Sequence, residues 1–210
     1  VENALAASAC ALAAGASLEQ IAAGLGLVSA IAGRLEIKPL TNNSAVIDDS
    51  YNASPSSFSA AIDVLANRAG RKILVMGDMA ELGKDSINMH SEVGAYALEA
   101  GIDALYAVGD QSASACAAFG GNHFQSRELL ATAVAQELSR ASADNRPVTF
   151  LVKGSRSAGM EKIVEHLIDT FLKAGDLSIA LREKGLKKKI KSDNTPVSNG
   201  DLEVNKFITK

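Results

Sequence analysis

Hydrophobic positions along this chain switch between two periods, and the switches mark its elements. Ser56 to Asn67 carries Phe58, Ile62 and Leu65 at helical spacing, with Ala61 and Ala66 filling in. Lys72 to Met76 holds Ile-Leu-Val-Met, the continuous apolar run of a strand buried on both faces. Ser86 to Ala100 predicts a helix with Val93, Tyr96 and Ala97 on one face. Ala104 to Val108 predicts a strand, Ser112 to Ala118 a short helix and His123-Phe124 a brief strand. Arg127 to Ser139 predicts a helix with Leu130, Ala133, Val134 and Leu138 inward. Val148 to Val152 follows as a strand and Gly159 to Leu172 as a closing helix. Upstream, Arg34 to Leu40 and Ser44 to Ile47 predict two short strands around an Asn42-Asn43 turn, a hairpin.

Strands alternating with helices imply right-handed crossovers and an α/β fold with a mostly parallel sheet covered on both faces. Ahead of it, Asn3 to Ala14 has helix-forming composition. Ser17 with Gln20 gives a capping-box pattern for a second helix, to about Leu25. These two helices read as the end of something upstream, with a new unit starting near Ile31. The chain opens on Val1 inside an apparent helix, so it is expected to be a fragment. From Asp176 to Lys210 the apolar pattern thins around Lys187-Lys188-Lys189, and a solvated helix with a partly disordered end is expected.

Composition changes this picture little. The 210 residues are 47% hydrophobic and 21% charged, ordinary for a globular protein. Trp is absent and aromatics are 4%, so the core must be built from Ala, Val, Leu and Ile. No apolar run reaches the roughly 18 residues that span a bilayer. The Ala-rich start has no basic leader and is interrupted by Ser8 and Cys10, so it is not expected to be a signal peptide. Net charge is −3, but from Asp176 on eight Lys or Arg face five Asp or Glu, leaving −6 for the rest. That break marks a boundary rather than a nucleic-acid partner. Cys10 and Cys116 show no metal-ligand spacing and are expected to be two buried free thiols in a reducing cytoplasm.

Candidate chemistry gathers at predicted strand ends, where open α/β sheets bind ligands. Asp48-Asp49-Ser50-Tyr51-Asn52-Ala53-Ser54-Pro55 puts two carboxylates there. Asp49 is the choice for a sugar or metal contact and Asp48 for orienting the loop; the bland alternative is a helix-start or Asx-turn cluster. Arg34, in Gly33-Arg34-Leu35-Glu36, offers a fork that suits phosphates, or a surface ion pair with Glu36. In Gly77-Asp78-Met79-Ala80-Glu81-Leu82-Gly83, Asp78 and Glu81 suit a cationic amine, or cap the helix from Ser86. Lys153-Gly154-Ser155-Arg156 reads as two cations opening a helix, a natural anion site. His90, His123 and His166 show no metal or triad spacing and read as ordinary surface or helix histidines. No Gly-rich phosphate loop occurs in the sequence.

Together with Leu151-Val152-Lys153-Gly154-Ser155-Arg156-Ser157-Ala158-Gly159-Met160-Glu161, these ordered runs closely resemble the C-terminal part of the Mur ligase family, over roughly Val1 to Lys173. The resemblance implies that residues 1–27 end a central ATPase domain and that 28–175 form a Rossmann-like C-terminal domain. Residues 176–210 match nothing in the family and stand as a basic tail. It also implies an ATP- and Mg2+-dependent amide ligase of peptidoglycan precursor synthesis, cytoplasmic and monomeric. Its reaction would add D-alanyl-D-alanine to UDP-N-acetylmuramoyl-tripeptide through an acyl phosphate, serving cell wall biogenesis, cell shape and division. The Asp-Asn-Pro-Arg run of the diaminopimelate-adding relatives is absent, which favours this branch. By motif, Arg34 and Asp49 are the catalytic and nucleotide-binding candidates, and Asn3 lies beside the adenine. Asn52, Ser54, Lys153, Ser155 and Arg156 face the peptide or dipeptide. The family's P-loop lysine and most of its magnesium ligands belong to domains outside these residues, so this chain alone is expected not to turn over ATP. Two other readings stand: a non-catalytic Rossmann-like module holding a small acidic ligand with Lys153 and Arg156, and an adaptor working through Lys187 to Lys191.

Overall fold

The computed structural model describes residues 2–28, 31–185, 188–190 and 196–208. Val1, and Lys187 and Lys191 of the basic run, lie outside the described residues. Two compact units emerge, Val1–Ile31 and Ala32–Lys210. The first holds α1 (Glu2–Ala13) and α2 (Leu18–Gly26). The expected capping box forms at α2, with Ser17 Oγ accepting from Gln20 N and Gln20 Oε1 accepting from Ser17 N. Within this unit Cys10 is exposed, against the expected burial, because helix α1 buries no continuous apolar stripe.

The second unit is a Rossmann-like α/β domain. Its strands β1 (Glu36–Pro39), β2 (Ala45–Asp49), β3 (Arg71–Gly77), β4 (Ala104–Val108), β5 (Asn122–Phe124) and β6 (Val148–Lys153) form one six-stranded sheet, in the order β1-β2-β6-β3-β4-β5. Only β1 runs antiparallel, as the first arm of the expected hairpin. Asn42 and Asn43 both take left-handed φ there, 51° and 58°, which Asn tolerates better than most residues. β2 and β6 each run one or two residues past the expected end, so Asp48, Asp49 and Lys153 lie on strands rather than after them.

Alternating side chains feed two cores. Ile47, Leu74, Met76, Leu105 and Leu151 meet α3 (Pro55–Ala66), α4 (Ser86–Glu99) and α5 (Ser112–Phe119). Val46, Ile73, Val75, Phe150 and Val152 meet α6 (Arg127–Ala143) and α7 (Glu161–Glu183) on the other face. Helix α7 does not close at Leu172. It passes Gly175, which costs about 1 kcal/mol in a helix interior, because Ala174 beside it is buried. A small hairpin, β7 (Lys188–Ile190) with β8 (Pro196–Ser198), and α8 (Asn199–Ile208) follow, and α8 packs on α7.

Candidate functional site

Chain order explains where the polar side chains meet. β6, the last strand of the sheet, inserts between β2 and β3. Its register pairs Asp49 with Lys153 on one side and Lys153 with Met76 on the other. The loops after β2 and β3 turn to one face and the loop after β6 to the other, which opens the sheet's carboxyl edge to a ligand.

Strand alternation sends the two aspartates to opposite faces. Asp48 is buried toward α7. Its Oδ2 accepts from Lys38 Nζ at 3.0 Å, and its Oδ1 accepts from Ser50 N and Oγ at 3.2 and 2.6 Å, so it orients the loop as expected. Burial alone would lower the Lys38 ammonium, but its hydrogen bonds to the Asp48 and Glu36 carboxylates outweigh it and hold that pKa above its ordinary value. Asp49 turns toward α3. Its Oδ2 accepts from Lys153 Nζ at 2.5 Å and its Oδ1 from Leu35 N at 3.1 Å. Lys153, only 2% exposed, also donates to the Asn52 carbonyl at 2.9 Å and lies 5.4 Å from the Phe58 ring centre. One carboxylate thereby ties together β6, the loop after β2 and the residue following Arg34.

Arg34 is exposed and makes no ion pair with Glu36, which pairs with Lys38 at 3.0 Å instead. Its guanidinium carbon lies 4.4 Å from the Tyr51 ring centre. Asn52 is exposed, with its side-chain oxygen accepting from Ala53 N. Ser54 is the N-cap of α3 and Pro55 its first residue. Asn3 is exposed on α1 in the first unit. Arg34, Asp49, Asn52 and Lys153 therefore share one sheet edge, and Asn3 stands on the separate unit.

The expected two-cation helix start at Lys153 to Arg156 takes a different form. Helix α7 begins only at Glu161, after a single turn of 3-10 helix, Arg156–Ala158. Lys153 is already answered by Asp49, which leaves Arg156 as the exposed cation, 3.7 Å from Glu161. Ser155 is buried, its N donating to the Asp78 carbonyl at 2.8 Å and its hydroxyl meeting that of Ser157. Gly77 and Gly154 are required where these two loops cross. A Cβ on either would strike Met160, at 2.7 Å.

Asp78 does not cap α4. Its carboxylate accepts from Ser112 N and Oγ and from Gln111 N, at 2.7, 2.5 and 3.4 Å, and so holds the start of α5. A hollow of about 240 Å³ opens between Asp78, Gly109, Arg127 and Ser157. A second, of about 230 Å³, lies on the α7 side, lined by Gly33, Lys38, Asp48, Tyr51, Arg156 and Glu161 among others. His90 is not a surface histidine. It is fully buried, with Nε2 accepting from Met79 N at 2.9 Å and Nδ1 donating to the Ser86 carbonyl at 2.7 Å. Those bonds assign the neutral ring with its proton on Nδ1. His123 Nε2 donates to the Gly109 carbonyl at 2.8 Å.

Tyr51, His90, Lys38 and Arg127 escape sequence reasoning. Tyr51 was visible only as an aromatic inside a polar run, the partners of Lys38 and His90 show only once the hairpin register and the loop before α4 are in place, and Arg127 donates to the distant Ala158 carbonyl. Among the described residues no group of three or more His, Cys, Asp and Glu is placed to hold a metal ion. Asp49 faces an ammonium, so the donor set here does not fit Mg2+.

Residues 33–156 match the family "Mur ligase, glutamate ligase domain". The UDP-N-acetylmuramoyl-tripeptide--D-alanyl-D-alanine ligase of Escherichia coli is 45% identical over 168 residues, covering 80% of this chain and 36% of the relative. The enzyme of the same name from Buchnera aphidicola (Acyrthosiphon pisum) is 41% identical over 169 residues, again 80% of this chain and 36% of the relative. Among solved structures, a crystal structure of MurF from Acinetobacter baumannii superimposes with a TM-score of 0.72 at 35% identity, over 80% of this chain and 37% of that one. The chain thus spans about a third of the length of the curated relatives it matches.

Proposed function

We propose that this chain, which belongs to the Mur ligase family, supplies the C-terminal lobe of an ATP-dependent ligase that joins D-alanyl-D-alanine to UDP-N-acetylmuramoyl-tripeptide. The observation that carries the reading is the gathering of Arg34, Asp49 and Asn52 on one carboxyl edge, tied together by Lys153. Identity to enzymes of that name, and the absence of the Asp-Asn-Pro-Arg run, support this branch of the family. Residues 1–27 fit the end of a central ATPase domain, 28–175 the C-terminal domain and 176–210 an appended tail. A monomer working in the cytoplasm completes the reading; no described helix is long and apolar enough to cross a membrane.

ATP, when bound with Mg2+ by the rest of such an enzyme, supplies the phosphoryl group that activates the tripeptide carboxylate. The residues of this chain position and shield. Arg34 is an exposed, permanently charged fork suited to the nucleotide's phosphates. Asp49 aims it through Leu35 N and keeps a second lone pair on each oxygen for a ribose hydroxyl. Asn3 takes the adenine side. Asn52 and the α3 start at Ser54 face the peptide. Lys153 and Ser155, both buried, hold the loop that carries the exposed Arg156. An acyl phosphate is lost to water unless covered, so a lobe that closes over it and sets the amine against the acyl carbon contributes directly to rate.

The test is a chimera in which residues 1–173 replace the matching third of the Escherichia coli relative. It is expected to release ADP only when both substrates are present, and Asp49→Ala in it to lower the rate about a hundredfold. A folded chimera that binds nucleotide and peptide yet releases no ADP would overturn the reading. The isolated 210-residue chain, whose sequence has no phosphate-binding loop, is expected to be inactive.

A further inference from the structure

We propose that Tyr51 is a positioning residue whose exposed ring gathers Arg34 and Arg156 into one oligophosphate-binding unit. The inference deepens the ligase reading, on which it rests only for the identity of the natural anion. Arg34 comes from the loop before β1 and Arg156 from the loop after β6, yet their guanidinium carbons lie 4.4 and 5.9 Å from the same ring centre. The ring is 46% exposed, so the two cations have not been buried there by packing.

The support beneath the ring is firm. Tyr51 N donates to the Gly33 carbonyl at 3.0 Å, and Leu35 N donates to Asp49 at 3.1 Å, so Arg34 is held on both flanks. Gly33, at φ 71°, lets its loop lie against Tyr51, where a Cβ would already be 3.3 Å from the tyrosine Cβ. The negative face of the ring attracts each guanidinium. The guanidiniums repel one another, and among the described residues no carboxylate is paired with Arg34, while Glu161 reaches Arg156 only at 3.7 Å. An anion between the two relieves that repulsion, and two planar forks suit the several oxygens of an oligophosphate better than a single carboxylate. The carboxylates of the adjoining hollow fix the anion's place. Asp48 is answered by Lys38, and Glu161 with Glu165 on α7 repel an anion toward the Arg34 side of the ring.

Titration of the purified chain with inorganic tripolyphosphate, followed by NMR of the arginine side chains, tests this. In the free wild type and in Tyr51→Phe, the Arg34 and Arg156 side-chain protons are expected upfield of ordinary arginine positions, shifted by the ring current. In Tyr51→Leu both should return to ordinary positions, and tripolyphosphate affinity should fall by about two- to fivefold for each arginine released. Thermal melting of Tyr51→Leu checks that the fold is intact, and the ring-current signal is one that general destabilisation does not reproduce. The proposal is overturned if the upfield shifts are absent from the folded wild type, or if Tyr51→Leu binds tripolyphosphate like the wild type. It is equally overturned if the wild type does not bind it, or if D-alanyl-D-alanine alone perturbs Arg156 while Arg34 stays silent. None of these outcomes bears on the chimera's ligase activity, so the two readings fail separately.

Discussion

Lys153 and Asp49 form a nearly buried pair, 2% and 13% exposed, in which each charge is tolerable only because of the other. Lys153→Met leaves the aspartate unanswered and is expected to cost about 3–5 kcal/mol in urea unfolding. Adding Asp49→Asn to it should return most of that loss; a double variant no better than the single one would contradict the pairing. The two thiols make a second contrast at this scale. Burial pushes the Cys116 thiol up to about 11, while Cys10 is exposed. One thiol should therefore react rapidly with a disulfide reagent in native protein, and the other only after denaturation. The motif around Asp49 was legible as a strand-end cluster because its residue types are crowded there. Its division of labour was not: alternation gives Asp48 to Lys38 and Asp49 to Lys153, and both partners lie outside the motif.

Helices α4 and α5 approach so closely that a Cβ on Gly94 would sit 2.2 Å from the Ala115 carbonyl oxygen. Backbone cannot yield as a flexible side chain does, so Gly94→Ala is expected to cost about 1–3 kcal/mol by overpacking. The same change at Gly24 in α2, which meets nothing within 4 Å and has ordinary helical φ, should stabilise by about 0.4–1 kcal/mol. A calorimetric pair in which both variants shift the same way would refute the packing argument. His90 acts between elements too, joining the loop after β3 to the first turn of α4. Its neighbours at helical spacing, Val93 and Ala97, signalled the buried face, and His90 lies on it one turn earlier. A polar residue on an apolar stripe reads as surface until its two partners are seen. Element types were legible as far as α7, because period depends only on near neighbours; the β7–β8 hairpin and α8 stand where a partly disordered end was expected. Ends were not: β2, β6, α6 and α7 all run past the residues at which local pattern would stop them.

The whole molecule's response to alkaline pH follows from four groups that hold their protons more tightly when folded. Cys116 is raised by burial, Tyr106 by burial and by Glu137, Tyr96 by its hydrogen bond to Asp63, and Lys38 by its carboxylates despite burial. A raised folded pKa gives stability that is complete below the unfolded value and is lost as pH rises through the folded one. Melting temperature is therefore expected to hold from neutral pH to about 8 and to fall above that, first where thiols and then where tyrosine and lysine ordinarily titrate. Tyr106→Phe should shallow that alkaline fall; an unchanged slope would remove Tyr106 from the account.

From the sequence alone came the alternation of strand and helix, the parallel α/β class, the hairpin at Asn42-Asn43 and the polar runs at strand ends, all set by residues within a few positions of one another. The tertiary structure alone decided that β6 lies between β2 and β3. That placement puts Lys153 against Asp49, Ser155 under Asp78 and Arg156 beside Tyr51. Strand order depends on which apolar faces the crossing helices cover together, a balance summed over the whole core that no local stretch of sequence contains.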